Sequence, residues 1–408
     1  MRPSRFFEFG TLDDREPVGT RGFAAAFAAI LAGAMLLASV EAAEAQRFRT
    51  AARQAYLLDM RTGTPLYNKN ADQRMPPASM VKVLSMAVVF GLLKEGRLKP
   101  EDEVLITENA WRTGGAGSKT STMFAKVNTR IALSNLIKGV IIQSGNDACI
   151  SIAEHIAGSE EAFAVMMNRY ARRIGMHSSH FENSTGLPHK GSYTTARDLA
   201  TLAEHVIRTY PEFYPIFAET EFTWNGIRQA NRNPLLSKAL GVDGLKTGYT
   251  DNSGYGIIAS GVRDGQRLIL VLNGMKTKQE RRIEGQKLLD WGFRSHEYLS
   301  LFAAGEHIGE ARVFGGAKSY VPLMPKSSEG VRMLVPKGPR NRLHAQIVYT
   351  GPIPAPVKAG QDVGYLKIWR GKVLLQEAPL IAAESVGQGK LYQRALDGAQ
   401  ELFIGLLK

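Results

Sequence analysis

Three short clusters in the sequence bring together side chains able to do chemistry. In Ser79-Met80-Val81-Lys82 a hydroxyl and an amine stand three residues apart. On a helix that spacing puts both side chains on one face, where they can meet. A serine needs a nearby base, and a lysine becomes one when burial or a neighbouring cation disfavours its ammonium form. Alone the pair is a weak signal, because a helix N-cap serine followed by a solvated lysine has the same spacing. Two later clusters change its weight: Ser144-Gly145-Asn146, and Lys246-Thr247-Gly248. The residues offer no metal chemistry, and no cofactor is expected. His-Glu-x-x-His is absent, His177, His180 and His189 fall in a loop-like stretch, and the lone Cys149 excludes both a disulfide framework and a cysteine-based zinc cluster. Cys149 reads as a small buried helix residue. Gly114-Gly115-Ala116-Gly117 lacks the Lys-Ser/Thr of a phosphate loop and reads as a flexible surface turn.

The elements that must position these clusters follow from periodicity and punctuation. Ala52 to Met60 reads as a strand, with Gly63 and Pro65 marking the turn before Tyr67. Ser79 to Glu95 is apolar and free of proline, and Pro76-Pro77 precedes it, which predicts a buried helix with Ser79 and Lys82 in its first turn. Further helices are expected over Ile131 to Gln143, Asp147 to Ala157, Glu160 to Ile174, Thr195 to Thr209 and Arg281 to Phe293. Ser144 to Asn146 thus lies at a break between two helices. Lys246 to Gly248 comes just before a hairpin in which Gly256 to Val262 and Arg267 to Asn273 flank Arg263-Asp264-Gly265-Gln266. Strands at both ends with helices between them predict an α+β domain over 46–305 whose terminal strands share one antiparallel sheet.

Beyond residue 306 the runs become short and β-favouring, as in Val331 to Val335, His344 to Thr350, Tyr365 to Trp369 and Val373 to Gln376, which predicts a small β-rich domain over 306–383. The segment 384–408 ends differently. On a helix, Leu391, Tyr392, Ala395, Leu396, Ala399, Leu402, Phe403, Leu406 and Leu407 gather on one side, opposite Lys390, Arg394, Asp397, Gln400 and Glu401. It falls short of the ~20 continuous apolar residues that cross a bilayer, so an interfacial, membrane-associating helix is expected.

The 408 residues are 44% hydrophobic and 22% charged, which is ordinary for a folded protein and excludes disorder. A formal charge of +13 points to anionic partners. The N-terminus narrows the choice. Phe23 to Val40 is an apolar, alanine-rich stretch preceded by Arg21, and Ala43-Glu44-Ala45 is a small-x-small cleavage pattern, so 1–45 reads as a signal peptide. The upstream arginines are balanced by Glu8, Asp13, Asp14 and Glu16, which leaves an uncleaved anchor as the competing reading. For an exported chain nucleic acid is not the expected partner.

Taken in order, the three clusters resemble the motif set of the penicillin-binding, active-site-serine enzymes. Their flanks narrow this to the low-molecular-mass D-alanyl-D-alanine carboxypeptidases (peptidase S11). The similar stretches are Ser144 to Cys149, Phe181-Glu182-Asn183 with Gly186-Leu187, Tyr193 to Ala200, and Val242 to Thr250. The resemblance implies a β-lactamase/DD-peptidase-like domain, a C-terminal β domain and a membrane-binding tail. It implies that Ser79 forms an acyl-enzyme with peptidoglycan stem peptides and with β-lactam antibiotics, Lys82 accepts its proton, and Ser144 relays a proton to the departing D-alanine. Asn146 would hold Lys82 and the substrate amide. Lys246 and Thr247 would bind the substrate carboxylate, and Gly248 would let a peptide backbone approach. The backbone N–H groups of Ser79 and Tyr249 would form the oxyanion hole. Arg232, in Asn231-Arg232-Asn233, is a candidate helper at the carboxylate, with a surface salt bridge as its competing role. Where some relatives carry another arginine this chain has Lys276, which keeps the charge and loses the bidentate fork. The alternatives are a DD-endopeptidase or serine β-lactamase of the same fold, and a membrane-attached peptidoglycan-binding protein without activity. Against the lactamase, no Glu-x-x-Leu-Asn-like element lies between Ser144 and Lys246.

Overall fold

The computed structural model describes residues 6–7, 48–337, 343–371 and 373–406. Apart from Phe6–Phe7, the expected signal peptide lies outside the described residues. Contacts divide the chain into two units, one of Arg49–Ser295 and one that includes His296–Lys408.

The larger unit is built on a five-stranded antiparallel sheet in the order Pro65–Lys69, Gln54–Asp59, Gln266–Met275, Gly254–Arg263, Val242–Thr250. The first and last strands of the unit thus share one sheet, as their sequence positions predict. Both faces of the sheet are covered, since Leu268 to Leu272 are all buried. Tyr56, Leu58, Ile258, Ile269 and Val271 face the main core, together with the helices. On the opposite face, Gly292 of the helix Lys278–Ser295 sits against Leu57 and Leu268.

At the centre of the main core runs the helix Lys82–Lys94, buried at every position from Lys82 to Phe90. A helix that is apolar on all sides has no solvent face and becomes a central element. Its first expected turn is a separate 3₁₀ segment, Ala78–Val81, so Ser79 and Lys82 are aligned by the tighter three-residue repeat. The expected helix from Ile131 is likewise broken up, into a strand Arg130–Ala132, an α segment Leu133–Lys138 and a π segment Gly139–Gln143.

The second unit carries its own core, including Ala311, Val313, Val321, Leu323, Leu366 and Leu380. Its antiparallel hairpin Asp362–Arg370 with Val373–Ala382 is longer than the sequence runs predict. The strand His296–Phe302 pairs with Val331–Pro336, so this unit starts ahead of residue 306. The chain closes in the helix Leu391–Leu406.

Candidate active site

The nucleophile turn is seated in the sheet by an apolar wedge. Gly248 and Gly256 are paired directly opposite each other on adjacent strands. Both positions pack on Met80: an added Cβ at 248 would make a tight 3.1 Å contact with Met80 Cγ, and one at 256 would lie 2.7 Å from Met80 Cε and force a shift. The two glycines therefore form a notch that receives Met80 and fixes Ser79 beside the Lys246 strand. Gly248, expected to admit a substrate backbone, also packs closely on Ala78 and Met80.

Lys82 is fully buried and makes three contacts through Nζ: 3.1 Å to Ser79 Oγ, 2.6 Å to Asn146 Oδ1 and 2.7 Å to the Thr185 carbonyl. The asparagine oxygen and the peptide carbonyl can only accept. A neutral amine has two hydrogens and one lone pair, so both hydrogens are spoken for and the lone pair is left for the Ser79 hydroxyl. Burial lowers the Lys82 pKa to about 8, with the positive charge of Arg232 acting the same way and Glu160 and Asp147 opposing it.

Asn146 is held in turn. Its Nδ2 donates to Thr120 Oγ1 at 2.9 Å, which accounts for Oδ1 facing the lysine, and its amide donates to the Ser121 carbonyl at 2.7 Å. Next to it the buried Asp147 accepts from the Met123, Ala125 and Ala148 amides and from Thr122 Oγ1. One carboxylate thereby ties down the 122–125 stretch at the helix start. Ser144 precedes this helix in a left-handed conformation, φ 67°. Of the glycine stretch 114–117, expected as a flexible surface turn, Ala116 and Gly117 are exposed, but Gly114 belongs to the same support. Gly114 ends the helix Glu108–Gly114 and is buried so tightly that an added Cβ would lie 2.2 Å from the Asp147 amide nitrogen.

The loop Asn183 to Leu187 supplies the Thr185 carbonyl. Asn183 Oδ1 accepts from the Gly186 amide at 2.7 Å, and Nδ2 donates to the Leu187 carbonyl at 3.0 Å. Gly186 has φ +79° and passes so close to the nucleophile turn that an added Cβ would lie 1.9 Å from the Ala78 carbonyl oxygen. A cavity of about 290 Å³ opens beside it, lined by Ala78, Leu187, His189, Lys190 and Thr250 among others.

Lys246 and Thr247 are buried on their strand. The Lys246 pKa is pushed well down by burial, then by the charges of Lys82, Arg232 and Arg281. Among the described residues Arg232 forms no ion pair with a carboxylate, and its charge bears on both lysines. The asparagines beside it hold the loop: Asn231 Nδ2 donates to the Glu219 carbonyl at 2.8 Å and Asn233 Nδ2 to the Gly244 carbonyl at 2.9 Å. Arg232 itself is exposed, and its backbone amide donates to the Ile142 carbonyl at 3.3 Å. Lys276 is exposed. The cation that sequence reasoning missed is Arg281, buried under the Tyr255 ring with its centre 5.6 Å from the ring centroid. Its Nε has no hydrogen-bond partner among the described residues, and burial lowers its pKa to about 10. Spacing from the hairpin points to Lys276, and only the start of the next helix turns Arg281 inward. The Tyr249 side chain is exposed, stacks on Tyr255 at 4.2 Å and donates to Asp251 Oδ1. Cys149 is buried and donates to the Ser184 carbonyl at 3.3 Å, a structural role.

Comparison with known proteins bears on this arrangement directly. Residues 39–277 match the family model described as D-alanyl-D-alanine carboxypeptidase, and residues 296–388 match the penicillin-binding protein 5 C-terminal domain. D-alanyl-D-alanine carboxypeptidase DacC of Escherichia coli (strain K12) is 40% identical over 349 residues, covering 85% of this chain and 87% of the relative. Among solved structures, penicillin-binding protein 5 from Haemophilus influenzae aligns with a TM-score of 0.74 at 36% identity, covering 84% of this chain and 99% of that one. Penicillin-binding protein D2 from Listeria monocytogenes, in a cefotaxime-bound form, aligns with a TM-score of 0.56 at 26% identity, covering 61% and 99%. The family model spans nearly all of the unit that holds Ser79, Lys82, Asn146 and Lys246, and the relatives are matched over most of their length. The chain belongs to the D-alanyl-D-alanine carboxypeptidase family, peptidase S11.

Proposed function

We infer that this site performs the reaction of its family: the chain is a serine-type D-alanyl-D-alanine carboxypeptidase that works through an acyl-enzyme and binds peptidoglycan and β-lactams. The observation that carries the reading is the three-point hold on Lys82, which leaves the amine lone pair facing Ser79 Oγ.

Ser79 Oγ attacks the carbonyl of the penultimate D-alanine of a stem peptide while its proton passes to Lys82 Nζ. The carbon–nitrogen bond then breaks, and Ser144 relays the proton from Lys82 to the departing D-alanine amine. Water cleaves the resulting ester by the reverse proton path. The main-chain N–H groups of Ser79 and Tyr249 receive the developing oxyanion. Lys246, Thr247, Arg232 and Arg281 form the pole for the terminal carboxylate. Arrival of that anion favours the charged form of Lys246, and a charged Lys246 makes Lys82 give up its proton more readily, so carboxylate binding and base activation are coupled. The cavity beside Gly186 takes the body of the stem peptide, with His189 and Lys190 at its wall.

We further propose that the protein is exported to the periplasm and lies against the outer face of the cytoplasmic membrane. Leu391 is 84% exposed and Leu396 is 66% exposed, while Asp397 accepts from the Gly315 amide at 2.7 Å. The helix is thus held by a polar contact with apolar residues in solvent, which suits an interfacial helix. No described helix is long and apolar enough to cross a membrane.

The test is labelling with a reporter penicillin in wild type and Ser79→Ala, followed by assay of D-alanine release from a pentapeptide ending in D-Ala-D-Ala. Labelling and release that both depend on Ser79 are expected. Cleavage of cross-linked dimers without D-alanine release would replace the carboxypeptidase reading with an endopeptidase.

A further inference from the structure

The residue preceding the carbonyl that anchors Lys82 is held from behind. Thr185 follows Ser184, and both donors of Ser184 end on one oxygen: its amide reaches Glu160 Oε1 at 3.0 Å and its hydroxyl reaches the same atom at 2.6 Å. The Ser184 carbonyl accepts from Ser85 Oγ at 2.7 Å, one turn along the helix from Lys82. Glu160 opens the helix Glu160–Arg173 behind the N-cap Ser159, a position at which a carboxylate is favoured by the helix dipole. The residue just before the carbonyl that meets Lys82 is therefore clamped between a central helix and a carboxylate belonging to none of the three motifs.

We propose that Glu160 is a positioning residue for the acylation base: through Ser184 it steadies the loop that holds the Thr185 carbonyl on Lys82 Nζ, and its charge raises the pH below which acylation fails. The proposal rests on Lys82 being the base. The charged and titratable groups that bear on Lys82 are few. Asp147 and Cys149 come from the helix Asn146–Ala157, Glu160 from the next helix, Arg232 from its loop and Lys246 from the strand. Burial pushes the Cys149 thiol up, so it stays neutral and supplies no anion. Asp147 is bound into three amides and a hydroxyl and cannot be altered without unfastening the 122–125 stretch. Glu160 is the remaining anion, and glutamine can replace it with its acceptor kept. An ordinary loop clamp would need only that acceptor, so charge and hydrogen bonding separate by substitution.

The experiment measures the rate of acylation by a reporter penicillin from pH 5 to 10 for wild type, Glu160→Gln, Glu160→Ala and Ser184→Ala, with melting curves for each. In Glu160→Gln the amide oxygen still accepts from Ser184, and loss of the negative charge lets Lys82 deprotonate more easily, so the acid limb moves to lower pH by roughly 0.5 to 1 unit. Ser184→Ala keeps the charge and removes one clamp bond, so its plateau rate falls, by about 3- to 10-fold, while its acid limb stays in place. Glu160→Ala combines both effects. An acid limb at the wild-type pH in Glu160→Gln overturns the proposal, as does an unchanged plateau in a folded Ser184→Ala. A wild-type profile with no acid limb at all would instead remove Lys82 as the base, a different failure. Should Glu160→Ala melt below the assay temperature, the other two variants still decide.

Discussion

Lys82 Nζ and Asn146 Oδ1 stand 2.6 Å apart across 64 residues of sequence, and the orientation of that amide is fixed by Thr120 on its other side. The lysine must donate to the oxygen. Any charge placed at that oxygen therefore acts on the proton of the base.

Asn146→Asp is expected to move the acid limb of acylation to higher pH. In wild type the neutral amine is the active form, so acylation rises as the pH climbs through about 8 and falls below it. A carboxylate in contact with an ammonium favours the charged form by about 1 to 3 pKa units, so acylation at pH 7 falls roughly 10-fold or more. Rapid-mixing measurements with a reporter penicillin across this range check the direction, and a limb that moves to lower pH would remove the assignment of the base.

Arg281 is buried under the Tyr255 ring, whereas Lys276 is exposed. Arg281→Gln removes a buried charge from the carboxylate pole, and charge-assisted hydrogen bonds of about 1.5–3 kcal/mol predict a KM for D-Ala-D-Ala peptides raised roughly 10- to 100-fold. Arg232→Gln is expected to act in the same direction. Lys276→Gln, at an exposed side chain, should change KM less than about 2-fold. Steady-state D-alanine release separates the three, and equal effects at Lys276 and Arg281 would contradict the assignment.

Gly186→Ala tests the loop behind the base. Its positive φ costs about 1–3 kcal/mol for a side chain, and its methyl would be driven into the Ala78 carbonyl. A total loss of about 3 kcal/mol or more is expected by denaturant unfolding, with acylation reduced in whatever remains folded. Stability within 1 kcal/mol of wild type would show that loop and nucleophile turn are not in contact.

Deletion of 390–408 is expected to shift the protein from the membrane fraction to the soluble fraction while D-alanine release from soluble peptides persists. Cell fractionation measures the first and the peptide assay the second. Unchanged fractionation would sink the interfacial role of the helix.

How far the sequence reaches differs from residue to residue. Ser79 with Lys82, and the hairpin after Lys246, are legible because a repeat of three and an alternation of two are local rules, carried by residues close in the chain. The amphipathic terminal helix is legible for the same reason. The terminal strands sharing one sheet also follow, since antiparallel pairing with helical excursions between them admits few topologies. Thr120, Thr185, Glu160 and Arg281 carry no such local mark. Each is an ordinary residue until long-range packing brings it to a buried amine, as Gly114 is an ordinary turn glycine until Asp147 lies against it. Sequence by itself determined the nucleophile, the base and the cation of Lys-Thr-Gly. Only the tertiary structure decided which acceptors occupy the two hydrogens of neutral Lys82 and that Arg281 is buried beside Tyr255, because those are set by contacts between segments tens of residues apart.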